Sequence, residues 1–149
     1  MNRTTATAVF GAAGLVAAGL VALPVAVSVV ELIDPGCEAR TARDLRALRD
    51  VVRSGPVRPT HVTDHSDCDS GGDPWLGFET PDGTSAKTIV TQYVSAGWKR
   101  YPAVPAALGA VDGETAVAVT KAAGDRQMLL ILYTQQSSGR VTGEMAFTS

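Results

Sequence analysis

The stretch Thr115-Ala-Val-Ala-Val-Thr-Lys-Ala-Ala-Gly-Asp-Arg-Gln-Met-Leu-Leu-Ile-Leu-Tyr133 decides the fold. Its first part, Thr115 to Lys121, alternates, with Val117 and Val119 on one face. Successive side chains of a strand point to opposite faces, so alternation marks a half-buried strand. Ala122-Ala123-Gly124-Asp125 turns the chain. Met128 to Tyr133 is an unbroken apolar run, the pattern of a central strand buried on both faces. Ser137-Ser138-Gly139-Arg140 turns it again, and Val141, Gly143, Met145 and Phe147 then alternate with Thr142, Glu144 and Ala146. Three strands joined by short turns make an antiparallel meander.

Upstream, two helices and three shorter strands are expected. Leu45, Leu48 and Val52 recur at three- and four-residue spacing, which predicts a helix from about Glu38 to Ser54. Arg40, Arg43, Arg46, Arg49 and Arg53 fall on its other side, and Gly55-Pro56 ends it. Thr60 to Asp64 and Trp75 to Thr80 read as strands, the second closed by the turn Pro81-Asp82-Gly83. Ala86, Ile89, Val90, Tyr93 and Val94 repeat with a helical period. Thr84 or Ser85 supplies the N-cap of that helix, and Gly97 sits where a left-handed C-cap forms. Trp98 to Tyr101 is a short strand, and Pro102 to Gly113 is a loop rich in Ala, Pro and Gly. The expected fold is α+β: an antiparallel sheet of about four to six strands with both helices on one face.

The N-terminus is of another kind. From Thr4 to Val30 there are 27 positions without a charged residue. As a helix this run would be about 40 Å long, more than the ~30 Å hydrocarbon core of a bilayer. It exceeds the apolar region of a secretory signal, and Val27-Ser28-Val29-Val30 is a poor cleavage context. We therefore expect a transmembrane signal-anchor over residues 1–30, a connector over 31–37 and one domain over 38–149. Gly14, Ala18 and Ala22 form a small-residue line along the anchor that could pack two such helices together. Ile33-Asp34-Pro35-Gly36 before Cys37 does not fit a lipid-attachment site.

Sidedness follows from two opposed signals. Arg40, Arg43, Arg46 and Arg49 follow the span, against Arg3 before it, and a bare count would hold the domain in the cytoplasm. Arg40 lies ten residues beyond Val30, however, with Glu31, Asp34 and Glu38 between. Cys37 and Cys68 are also able to pair, and disulfides persist outside the cytoplasm. The expectation is a cell-membrane protein whose domain faces the extracytoplasmic side. Residues 31–149 hold 12 basic and 15 acidic side chains, all of the chain's charged residues except Arg3. That balance excludes nucleic acid as the expected partner.

The most conspicuous polar stretch is His61-Val-Thr-Asp-His-Ser-Asp-Cys-Asp-Ser-Gly-Gly-Asp-Pro-Trp75. His61, His65, Asp67 and Asp69 are the candidate metal or hydrolytic residues. In an extended chain, however, His61 and His65 lie about 13 Å apart on one face, too far to share one zinc. Counted from Asp67, a calcium loop would need Asp or Asn at position 71 and Glu at 78, where Gly71 and Phe78 stand. A Ser-His-Asp triad could be drawn from His61 or His65 and Asp64, but such a match arises by chance in a polar loop. No nucleophile elbow, Walker loop or dinucleotide fingerprint is present. The simpler expectation is a turn pinned by a Cys37–Cys68 disulfide, whose closed loop would contribute about 3–4 kcal/mol. Six arginines lie between Arg40 and Arg58, and six acids between Asp64 and Asp82. The clamp would bring these segments together as exposed ion pairs. The arginine helix has a second reading, contact with anionic lipid headgroups. Trp75, Phe78, Tyr93 and Trp98 are expected as core aromatics.

The whole chain resembles the small membrane-anchored or exported proteins of unknown function found in high-GC Gram-positive bacteria. The likeness rests on the anchor, the helix bearing Arg43-Asp44-Leu45-Arg46-Ala47-Leu48, the Asp67-Cys68-Asp69-Ser70-Gly71-Gly72 loop and the helix ending in Gly97-Trp98, and it covers most of residues 31–135. It implies a secreted α+β domain and no activity; no cofactor is expected. The expected function is a non-enzymatic binding module at the cell envelope, taking a protein, a polymer or anionic headgroups. The strand Trp98–Tyr101 or the loop 102–113 would be its contact region. The alternative is a metal-binding or metal-dependent hydrolytic module using the His61–Asp69 segment.

Overall fold

The computed structural model describes residues 36–66, 68, 72–102 and 111–148. The expected anchor, most of the connector, Asp67 and Asp69 lie outside the described residues. Among the described residues no helix is long and apolar enough to cross a membrane. Gly36–Ser149 forms one compact unit.

Helix α1 spans Cys37–Ser54. It starts one residue before the expected boundary, inside the expected connector, with Gly36 as an N-cap that offers no side-chain acceptor. Its buried residues, Thr41, Leu45, Leu48 and Val52, repeat every three to four positions and form one stripe. Strands β1 (His61–His65) and β2 (Trp75–Glu79) follow. Helix α2, Ala86–Ser95, opens with the Ser85 hydroxyl accepting from the Thr88 N–H at 3.2 Å. It closes with a Schellman motif: Gly97 takes φ +86°, its N–H donates to the Val94 carbonyl, and Trp98 N–H donates to the Tyr93 carbonyl. The apolar contact that accompanies such a cap is the edge-on packing of Trp98 against Tyr93, with ring centroids 5.1 Å apart. Strand β3 (Lys99–Arg100) is shorter than expected. The meander is as expected and longer: β4 (Glu114–Ala123), β5 (Arg126–Gln135) and β6 (Val141–Thr148).

The six strands form one antiparallel sheet in the order β1-β2-β6-β5-β4-β3. The last strand, β6, inserts beside β2, and α2 carries the chain from β2 to the far edge. Register sorts the side chains. Leu76 pairs with Met145, Met145 with Leu130, and Leu130 with Val119. These four are fully buried, and they belong to one core cluster with Leu45, Leu48 and Val52 of α1 and Ile89, Val90 and Tyr93 of α2. Both helices therefore cover the same face. Leu129, Ile131 and Ala118 point the other way and make a second, smaller buried cluster. Strand β5 is thus buried on both sides, as its unbroken apolar run requires.

Candidate functional site

Strand parity decides what the histidine segment can do. In β1, Asp64 pairs with Leu76 and Val62 with Phe78, so both face the helices. His61, Thr63 and His65 face the opposite side, where their partners are Glu79, Gly77 and Trp75. Asp64 is committed to α1: its carboxylate accepts from Arg49 Nε at 3.0 Å and also from Arg49 Nη2. A single strand thus sends its aspartate and its two histidines to opposite faces. An Asp64–histidine dyad does not form.

His65 is committed as well. Its ring lies flat on the Trp75 indole, with centroids 3.6 Å apart and planes 5° from parallel. Trp75 is therefore not a residue of the helix-side core, contrary to the sequence expectation; Phe78, Tyr93 and Trp98 are. The reason is again parity, since Leu76 and Phe78 take the core positions of β2 and leave the odd residues to the other face. Among the described residues, no group of three or more His, Cys, Asp or Glu side chains is placed to hold a metal ion.

The expected disulfide is present. Cys37 and Cys68 are bonded, with Cα atoms 5.8 Å apart, and tie the first turn of α1 to the segment after β1. Thr41, buried one turn into α1, places its hydroxyl 3.3 Å from the Cys68 sulfur. The expected pairing of the arginine helix with the acidic segment is realised by Arg49 and Asp64. Two further ion pairs involve arginines of the meander. Arg126 holds Asp44 through two hydrogen bonds of 2.9 and 2.7 Å, and its guanidinium lies 4.0 Å from the Phe147 ring centroid. That Arg126 fork holds the Asp44 carboxyl below its ordinary range, against an opposing effect of burial. Arg140 meets Glu79 at 2.5 Å.

The face of the sheet opposite α1 and α2 collects a group that the sequence left unassembled. Trp75, Gly77 and Glu79 of β2 lie beside Ala146, Glu144 and Thr142 of β6. One strand further, Tyr133 of β5 donates its hydroxyl to Glu144 Oε2 at 3.2 Å. Burial, and then the charge and acceptor of Glu144, push the Tyr133 phenol up to about 12. Glu114, at the start of β4, adds a further carboxylate near it. The bare backbone of Gly77 lets the two rings close over this face: a Cβ there would stand 3.3 Å from Trp75 and 3.4 Å from His65. Side chains from five strands, His65 of β1 to Glu114 of β4, thus make an aromatic, carboxylate-bearing surface. The opposite side of the domain presents the exposed arginines of α1. The only signal in the sequence was the alternation of β6, which sets Glu144 apart from Val141, Gly143 and Met145.

A six-stranded antiparallel sheet with two helices on one face and a disulfide at the first turn defines a small α+β domain. Compared with known proteins, the chain matches no family model, no curated protein and no solved structure.

Proposed function

We propose that this protein is a non-enzymatic binding module of the cell envelope. Residues 4–30 anchor it as a single membrane-spanning helix, the disulfide-bearing domain stands on the extracytoplasmic side, and the sheet face opposite α1 and α2 takes the partner. The carrying observation is the grouping of Trp75 with His65, Tyr133 with Glu144, and Glu79 on the sheet face opposite α1 and α2. Those carboxylates accept hydrogen bonds and the rings supply apolar area, so the fitting partner is an envelope polymer or protein presenting hydroxyl or ammonium donors. The Cys37–Cys68 bond supports the outward orientation, because such bonds persist outside the cytoplasm.

The test is co-sedimentation of the full-length chain, in neutral phosphatidylcholine nanodiscs, with insoluble cell-wall polymer. Trp75→Ala and Glu144→Gln should each lower the bound fraction severalfold, while Arg46→Gln on α1 should leave it unchanged. The reverse pattern would move the contact to the arginine helix. Stoichiometric zinc or copper in the purified protein would overturn the non-enzymatic reading.

A further inference from the structure

We propose that the outer edge of β1 binds an acidic peptide in extended conformation, which adds to the sheet as a further strand. The two edges of the sheet differ. At one edge, β3 is only two residues long, and both, Lys99 and Arg100, are cationic. A short, cationic edge is the usual protection against strand addition. At the other edge, β1 is five residues long and holds no proline, lysine or arginine. His61, Val62, Thr63 and Asp64 are all exposed. The carboxylate of Asp64 is already neutralised by Arg49. The ladder fixes which main-chain groups are free. Thr80 N–H donates to the Val141 carbonyl of β6, whereas the Glu79 carbonyl accepts from Thr60, on the β1 side. Bonding direction alternates along an antiparallel strand, so Trp75, Gly77 and Glu79 bond towards β1, and their partners His65, Thr63 and His61 bond back. The N–H and C=O of Val62 and Asp64 therefore point outward, and among the described residues they have no partner. Extended peptides bind such an edge through main-chain hydrogen bonds.

Charge selects the partner. Arg46 lies three residues before Arg49 and Arg53 four after it, so the three share one flank of α1. Arg49 reaches Asp64 of β1 at 3.0 Å, which sets that flank over β1. Arg46 and Arg53 are exposed and have no ion pair among the described residues. Asp50, four residues from Arg46 and three from Arg53, offsets one of these charges; Arg58, exposed and without an ion pair three residues before β1, restores it. Alternate side chains of an added strand point to the helix side, so acidic residues at every second position would meet these guanidiniums. A second copy of the chain fits less well. Pairing β1 with β1 about a twofold axis brings an identical arginine row to the same seam.

The probe is a fluorescein-labelled peptide of alternating glutamate and threonine, about eight residues long so that it spans β1. It is titrated by anisotropy against the full-length chain in neutral phosphatidylcholine nanodiscs. Saturable binding that weakens with salt is expected. The lysine–threonine counterpart should not bind. Val62→Pro removes one outward N–H and no ladder bond, a change an edge strand tolerates, and should weaken binding about tenfold. A control on the ligand side leaves the protein untouched: the glutamate peptide with its amides N-methylated should not bind. The double variant Arg46→Gln/Arg53→Gln should weaken binding about fivefold and flatten its salt dependence. Glu144→Gln, on the face that takes the envelope partner, should leave the titration unchanged, which separates the two sites. The proposal is overturned if the glutamate peptide gives no saturable response, if the lysine or the N-methylated peptide binds as well, or if the double arginine variant binds like the parent. Pairing of singly loaded nanodiscs that Val62→Pro abolishes would assign the edge to a second copy and overturn it too.

Discussion

Gly143 and Gly77 are both strand glycines that stand beside an aromatic ring, one on each face of the same sheet. Beneath the helices, Gly143 pairs with Phe78, and a Cβ on it would fall inside the Phe78 ring carbons. There the missing side chain is a condition of packing, because the ring fills the space and the helices hold it in. On the face opposite the two helices, Gly77 lies under Trp75 and His65, and a Cβ would meet them at 3.3 and 3.4 Å. Neither α1 nor α2 covers this position. One face is closed by apolar interdigitation beneath the helices; the other carries a smaller buried cluster, Leu129, Ile131 and Ala118, beside the rings and carboxylates of His65, Trp75, Tyr133 and Glu144. Stability should therefore be concentrated on the first face, and recognition on the second.

The largest expected effect comes from breaking the clamp on the helix side. In the double variant Cys37→Ala/Cys68→Ala, the loop between positions 31 residues apart is no longer closed, at a cost of about 3–4 kcal/mol in urea unfolding. Hydrogen exchange sharpens the comparison. Amides around Thr41 and Leu45 should lose protection first, since the bond fixes the first turn of α1, while those of β5 should keep theirs until global unfolding. Equal loss in α1 and β5 would mean that the two sides are not energetically separate.

The glycine pair comes next. Gly143→Ala should destabilise by about 1–3 kcal/mol through overpacking against Phe78. Adding Phe78→Leu should restore part of that loss, because the shorter side chain vacates the space. Gly77→Ala should stay within about 1 kcal/mol of the parent, since its neighbours need to give only slightly. Thermal unfolding of the four proteins checks both statements. A Gly77→Ala loss as large as that of Gly143→Ala would remove the distinction between a packed face and an open one.

How much of this the sequence could disclose depends on range. The meander was legible because β4, β5 and β6 are consecutive and their turns are short. Both helices were legible from their apolar stripes, and the end of α2 from Gly97-Trp98, where the glycine conformation and the Trp98–Tyr93 contact belong to one local motif. The two cysteines announced the clamp. The pairing of β2 with β6 could not be read, because it joins residues more than 60 positions apart and no local pattern encodes it. The face of Trp75 was lost for the same reason. A strand of five residues with apolar groups at 75, 76 and 78 fits either parity until its neighbours fix the register. The candidate site inherits this limit, since Trp75, Tyr133 and Glu144 meet only through that long-range order.

The smallest effect separates the two faces by titration. Tyr93 beneath the helices and Tyr133 on the open face are both pushed to about 12, from different mixtures of causes. Desolvation alone raises Tyr93, whereas Tyr133 is raised by desolvation together with the charge and acceptor of Glu144. Both shifts are upward, so the folded state retains protons that the unfolded chain releases. The resulting stability is complete below the ordinary value of 10.0 and is lost as the pH climbs from there to about 12. Glu144→Gln removes a negative charge beside Tyr133 and touches nothing near Tyr93. The chain has three tyrosines, so a Tyr101→Phe background leaves these two for ultraviolet titration. In the Glu144→Gln variant Tyr133 should ionise at a lower pH than before, stopping short of 10.0 because burial remains, while Tyr93 stays near 12. If the two phenols still titrate together, the Glu144 carboxylate does not govern the open face. The recognition surface would then lose the Tyr133–Glu144 contact between β5 and β6 as an organising element.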